Sequence, residues 1–159
     1  MFEIQKSFYF EMGHRITTHG GKCFSPHGHS YKAIIYCKST QLDEHQMVMD
    51  FGDISKYAQP IIDRLDHSFM VYEKDTEMVN FLNSQWDGTA EYRTRNFKFV
   101  TVPFESTAEN IAKYIYEEFL KVAVPEVNKK RSSVPLFFLD IVSRVIVWET
   151  PKCAAEYRG

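Results

Sequence analysis

The sequence predicts an α+β fold, an antiparallel sheet with helices packed on one face, and three observations carry that expectation. Residues 2–14 and 30–39 are aromatic-rich or β-branched segments close enough to pair as neighbouring strands. Two stretches, beginning near Asp53 and Thr107, place apolar residues at helical spacing. A long apolar run, LFFLDIVSRVIVWET, closes the pattern from Leu136 to Thr150.

Along the chain, Phe8, Phe10 and Met12 set a two-residue rhythm that predicts a first strand over 2–14, ending at Gly13-His14. SYKAIIYCKS, residues 30–39, predicts a second strand with Tyr31, Ala33, Ile35 and Cys37 on one face. Cys37 is therefore read as core filling rather than chemistry. Asp43 to Gln46 supplies a turn. A helix follows, with Asp53 as its N-cap and Ile54, Tyr57, Ala58, Ile61, Ile62 and Leu65 as its apolar stripe. Pro60 is expected to kink or divide it.

Residues 75–84 predict a short helix, 86–96 a turn or hairpin tip, and Phe97 to Pro103 another strand. Thr107 to Val124 reads as the strongest helix, opened by a Ser106–Glu109 capping box and ended by Pro125. The order β-β-α-(further segment)-β-α-β contains no repeat or long linker, so one domain over 1–159 is expected.

Composition narrows the function class. Hydrophobic residues make up 44% and charged residues 25%, ordinary for a soluble globular protein. A net charge of −2 gives no concentrated basic face for nucleic acid, and Lys129-Lys130-Arg131 reads as a solvated loop. No apolar run reaches the length of a membrane span, and the N-terminus lacks the basic-then-apolar pattern of a signal peptide. Three widely spaced cysteines argue against a disulfide framework and for a reducing, cytoplasmic compartment.

The chemistry concentrates in CFSPHGHSY, residues 23–31. In an extended segment His27 and His29 point to the same side, so both imidazoles can converge on one ion, with Gly28 removing bulk between them. A third ligand must come from elsewhere, and His14 at the end of the first strand is the natural candidate. Three imidazoles with an open position is the pattern of a catalytic zinc, although imidazoles also suit iron, copper or nickel. Beside a bound dication a thiol such as Cys23 ionises more readily and becomes a competent base or nucleophile.

Asp66-His67 follows a helix end, where the two read either as ordinary helix-terminal residues or as a carboxylate that orients an imidazole for proton transfer. Glu149 ends an apolar strand, where it reads either as a solvated strand terminus or as a buried carboxylate suited to a guanidinium-like ligand edge. His19 and His45 read as surface residues, with His19 a spare candidate because it lies near His14 and Cys23 in sequence.

Taken together, FEMGHR (10–15), KCFSPHGHSY (22–31), MVMDFGD (47–53), LDH (65–67), STAEN (106–110) and VWET (147–150) resemble the 6-pyruvoyl- and 6-carboxytetrahydropterin synthase family in its own order. The resemblance implies His14, His27 and His29 as Zn2+ ligands, Cys23 as general base, and Asp66 with His67 as the partner acid/base dyad. It implies Glu149 as the anchor for the amino-pyrimidine edge of a pterin, with Thr107 lining the pocket and Glu109 supporting it. Lys22 and Arg15 are candidates for holding the triphosphate.

The same resemblance implies a tunnelling fold of four antiparallel strands and two main helices. Three subunits close into a barrel and two trimers stack as a homohexamer, a closure that would remove exposed sheet edges. The three-residue spacer Phe24-Ser25-Pro26 and the ending ETPKCAAEYRG resemble the carboxy type, which serves 7-deazaguanine (queuosine) synthesis. The expected reaction converts 7,8-dihydroneopterin triphosphate to 6-carboxytetrahydropterin, releasing acetaldehyde and triphosphate. The competing reading is a pyruvoyl-type synthase that eliminates triphosphate without cleaving the side chain. A reading from another class is a structural zinc protein with Cys23 as the fourth ligand.

Overall fold

The computed structural model describes residues 1–84, 97–130 and 139–159. The turn expected at 86–96 and the first three residues of the run from Leu136 lie outside them. Among the described residues six strands form one sheet in the order β4-β3-β1-β2-β5-β6: β1 Phe2–His14, β2 His27–Ser39, β3 Ser68–Tyr72, β4 Phe99–Val102, β5 Leu139–Thr150 and β6 Cys153–Tyr157. The helices are α1 Phe51–Leu65, α2 Thr76–Ser84 and α3 Ala108–Lys130.

The α+β class holds, and the expected four-strand antiparallel sheet is corrected to a mixed sheet of six strands. β1 pairs antiparallel with β2, but β3 joins β1, and β4 joins β3, in parallel. The short strands SFMVY and CAAEY, β3 and β6, were missed because five residues give too little periodicity to read.

β1 and β2 pair over their whole length, from Phe2 opposite Ser39 to His14 opposite His27. That ladder puts Phe8, Phe10 and Met12 on the same face as Tyr31, Ala33, Ile35 and Cys37, all buried. α1 and α3 cover that face with Ile54, Tyr57, Ile61, Leu65, Ile111, Ile115 and Phe119 in one core. Each of the largest buried side chains contributes roughly 1.5–3 kcal/mol of hydrophobic stabilisation relative to exposure.

Helix boundaries needed correction. α1 begins earlier, capped by Asp50 rather than Asp53, with the Asp50 carboxylate accepting the Gly52 N–H at 2.5 Å. Pro60 neither divides α1 nor ends it, and Pro125 lies inside α3. In both helices, apolar residues beyond the proline are buried, Ile61, Ile62 and Leu65 in α1 and Val127 in α3. Their burial offsets the lost hydrogen bond. The capping box gives way to a Thr107 cap, whose Oγ1 accepts the Asn110 N–H at 3.4 Å. Among the described residues no helix is long and apolar enough to cross a membrane.

Candidate active site and metal centre

The β1–β2 ladder builds the metal-ligating cluster directly. β2 begins at His27, so His27 and His29 share the core face, and His14 sits across the ladder from His27. Gly28 suits a close approach, since a Cβ there would stand a tight 3.1 Å from the Met12 carbonyl oxygen. One ring nitrogen from each of His14, His27 and His29 lies within 4.8 Å of the others, and among the described residues this is a donor set able to hold a metal ion. The Cys23 thiol lies outside this group.

Hydrogen bonds fix which nitrogens are available. His14 Nδ1 lies 2.7 Å from the Ser106 carbonyl oxygen, and His27 Nδ1 lies 2.7 Å from the Ser25 carbonyl oxygen. A carbonyl oxygen only accepts, so both Nδ1 atoms carry a proton, and in a neutral ring so held it is Nε2 that presents the lone pair. Burial lowers the His14 pKa to about 4, which keeps the ring neutral and ready to ligate.

Tyr31 continues the same strand face two residues beyond His29. Its fully buried ring stacks on Phe10 at 5.1 Å, and its hydroxyl lies 3.2 Å from His14 Nε2 and 3.5 Å from Glu149 Oε1. Burial pushes the Tyr31 phenol well above its ordinary pKa, and the neighbouring Glu149 adds to the effect. Glu149 Oε1 stands 3.8 Å from His14 Nε2. The sequence reading places Tyr31 on a strand face with Ala33, Ile35 and Cys37 and gives its hydroxyl no role. The two-residue period that placed His27 and His29 together was also the signal for its hydroxyl.

Cys23 is half-buried within an otherwise exposed 3-10 turn, Lys22–Phe24, in the connection between β1 and β2. Its carbonyl accepts the Ile16 N–H at 2.8 Å. The connection is tied to the segment before α3: the Glu105 carboxylate accepts the Thr17 N–H at 3.0 Å and the Thr17 hydroxyl, and the Ser106 hydroxyl donates to the Arg15 carbonyl at 3.1 Å. Arg15 pairs with Asp75, and its guanidinium lies 5.4 Å from the centre of the Phe24 ring.

Asp66 and His67 sit in the turn between α1 and β3. His67 Nδ1 and Asp66 Oδ2 are 2.8 Å apart, while Asp66 Oδ1 accepts the Glu11 N–H at 2.8 Å. The His67 N–H in turn donates to the Glu11 carbonyl at 2.6 Å. This clamp on β1 holds His67 in the left-handed region, φ 54°, with its ring largely exposed. The Glu11 hydrogen bond, then His67, lower the Asp66 pKa. A surface cleft is lined in part by Glu11, His29, Ser30 and His67.

Thr107 is half-buried at the start of α3, and Glu109 is exposed in its first turn. His19 and His45 are exposed, His19 Nδ1 accepting the Gly21 N–H at 2.9 Å.

A family model described as 6-pyruvoyl tetrahydropterin synthase matches residues 3–159. The chain belongs to this family. Like other family members it is an enzyme of the lyase type. It is 33% identical over 172 residues to the 6-carboxy-5,6,7,8-tetrahydropterin synthase of Aquifex aeolicus, covering 99% of this chain and 98% of that protein. The synthase of the same name from Haemophilus influenzae is 30% identical over 165 residues, covering 99% of each.

Among solved structures, an uncharacterized protein of Wolinella succinogenes superposes with a TM-score of 0.73 at 25% identity, covering 99% of this chain and 98% of that one. The 6-pyruvoyl tetrahydropterin synthase of Caenorhabditis elegans superposes with a TM-score of 0.62 at 22% identity, covering 99% and 95%, and bears on the fold alone. The tunnelling fold expected from the sequence is the fold of this family.

Proposed function

We propose that the protein is a zinc-dependent 6-carboxy-5,6,7,8-tetrahydropterin synthase acting on 7,8-dihydroneopterin triphosphate, with acetaldehyde and triphosphate released. The observation that carries this reading is the convergence of three imidazoles beside a carboxylate, Glu149, in a chain whose full-length relatives bear that name. His14, His27 and His29 would hold the Zn2+, which when bound polarises substrate oxygens and acidifies the adjacent C–H.

The remaining roles belong to the chain's own side chains. Cys23, outside the ligand group, moves the proton from the substrate side chain. His67, oriented by Asp66, serves as the second acid/base, and its exposure suits a site completed on assembly. Glu149 receives the amino-pyrimidine edge through paired hydrogen bonds, Thr107 lines the pterin pocket and Glu109 supports that segment. Arg15 is engaged by Asp75, which leaves Lys22 the better candidate for the triphosphate.

A cytoplasmic homohexamer, a dimer of trimers, in 7-deazaguanine (queuosine) synthesis is part of this proposal, as is a single catalytic domain over 1–159. Edge strands β4 and β6 give barrel closure a physical motive. The structural-zinc reading requires Cys23 as a fourth ligand, and the donor group without its thiol argues against it. Incubating the zinc-loaded protein with 7,8-dihydroneopterin triphosphate tests the proposal: acetaldehyde together with 6-carboxytetrahydropterin supports it. Triphosphate release with a pyruvoyl product and no acetaldehyde assigns the pyruvoyl reaction instead.

A further inference from the structure

We propose that the Tyr31 hydroxyl couples the metal centre to the pterin anchor, so that an occupied metal site tightens pterin binding through Glu149 and the reverse. The inference rests on the reading of Glu149 as the anchor, and it follows from counting protons at a buried junction.

His14 Nδ1–H donates a hydrogen bond to the Ser106 carbonyl, so in the neutral ring Nε2 has only a lone pair to offer. The Tyr31 hydroxyl, 3.2 Å away, is the donor that meets it. The same hydroxyl lies 3.5 Å from Glu149 Oε1, which also only accepts when ionised. One proton cannot serve both acceptors. With the metal absent, His14 Nε2 competes for it at the shorter distance.

Were His14 Nε2 to ligate a metal, this competitor would be lost and the hydroxyl would turn to Glu149. Tyr31 is fully buried and stacked on Phe10, so its ring stays in place while the proton changes partner. Held at Oε1, the carboxylate presents its remaining lone pairs in a fixed orientation, which is what paired recognition of a planar N–H edge needs. Tyr31 is thus a positioning residue whose effect appears as a coupling free energy between two ligands, and that coupling must be reciprocal.

The test uses a pterin lacking any side chain at C6, which has no hydroxyls to bind the metal and can sense it only through the protein. Zinc affinity, by competition with a chromophoric chelator, is measured with and without this pterin in the native protein and in Tyr31→Phe, which keeps the ring. Pterin affinity is measured with and without zinc. In the native protein each ligand is expected to strengthen the other by about 3- to 10-fold, the worth of one net hydrogen bond. In Tyr31→Phe that ratio falls toward one, with pterin still binding.

A native ratio of one overturns the proposal without reference to any variant, so a Tyr31→Phe protein that fails to fold leaves it falsifiable. A ratio unchanged in folded Tyr31→Phe overturns the hydroxyl's role while leaving the pterin reading intact. If the native protein binds the unsubstituted pterin neither with zinc nor without it, the Glu149 anchor fails and this proposal with it.

Discussion

Arg15 and Asp75 form a two-pronged ion pair, Nε to Oδ2 at 2.6 Å and Nη2 to Oδ1 at 2.5 Å, with the Asp75 side chain almost wholly buried. Asp75 Oδ1 also accepts the Met78 N–H in the first turn of α2, at 3.2 Å. One carboxylate therefore joins the β1–β2 connection, which carries Cys23, to the start of a helix. The Arg15 hydrogen bonds hold its pKa below the ordinary 3.8. Its stabilising contribution is thus complete above that value and is lost as pH falls from there through the lowered folded value. Asp75→Asn should cost about 2–3 kcal/mol at pH 6, and the difference from the native protein should narrow below pH 4, read by urea denaturation across that range.

Removing metal ligands should abolish tight zinc binding without unfolding the sheet. His27→Ala combined with His29→Ala is expected to weaken zinc affinity by more than about 100-fold in chelator competition, because one imidazole remains. Native protein should bind one zinc per chain.

The metal-free protein should become less stable as pH falls from 6.5 towards 4. Burial depresses the His14 pKa from 6.5 to about 4, so between those values the unfolded chain takes up a proton that the folded chain refuses. Thermal melts of zinc-free protein at intervals of pH should show this slope, and His14→Asn should flatten it.

Cys23→Ala should retain zinc and fold while losing turnover by about 100- to 10,000-fold, the usual worth of a positioned acid or base. Loss of zinc in the same variant would assign the thiol to the ligand set. Metal content and steady-state rates, measured on one preparation, separate the outcomes.

His67→Gly should be at least as stable as the native protein and far less active. A non-glycine residue in the left-handed region carries strain of about 1 kcal/mol, relieved by glycine. The exposed contact with Asp66 that is lost contributes less than that. A melting temperature that falls by several degrees would show that the His67 side chain contributes more stability than its backbone strain costs, since the Glu11 hydrogen bonds use only the His67 backbone and Asp66.

How far the sequence could be read depends on where each signal resides. The apolar stripe of α1 was legible residue by residue, because Ile54, Tyr57, Ala58, Ile61, Ile62 and Leu65 are all buried. The convergence of His14 with His27 and His29 was also legible, since strand period and hairpin pairing need only local pattern. Pro60 and Pro125 misled because their cost is local while the burial that offsets it is tertiary. The parallel β3–β4 pairing escaped because such register is set by packing between distant segments. The Tyr31–Glu149 link and the Arg15–Asp75 pair were invisible for the same reason: they join residues 118 and 60 positions apart.

The β1–β2 ladder has one more consequence. A slip of one residue between these strands would turn His27 and His29 to the opposite face from His14. Only the native pairing gathers three imidazoles on one side. The ion that these side chains are suited to hold would therefore act as a proofreader of the hairpin, holding correctly aligned chains and passing over misaligned ones.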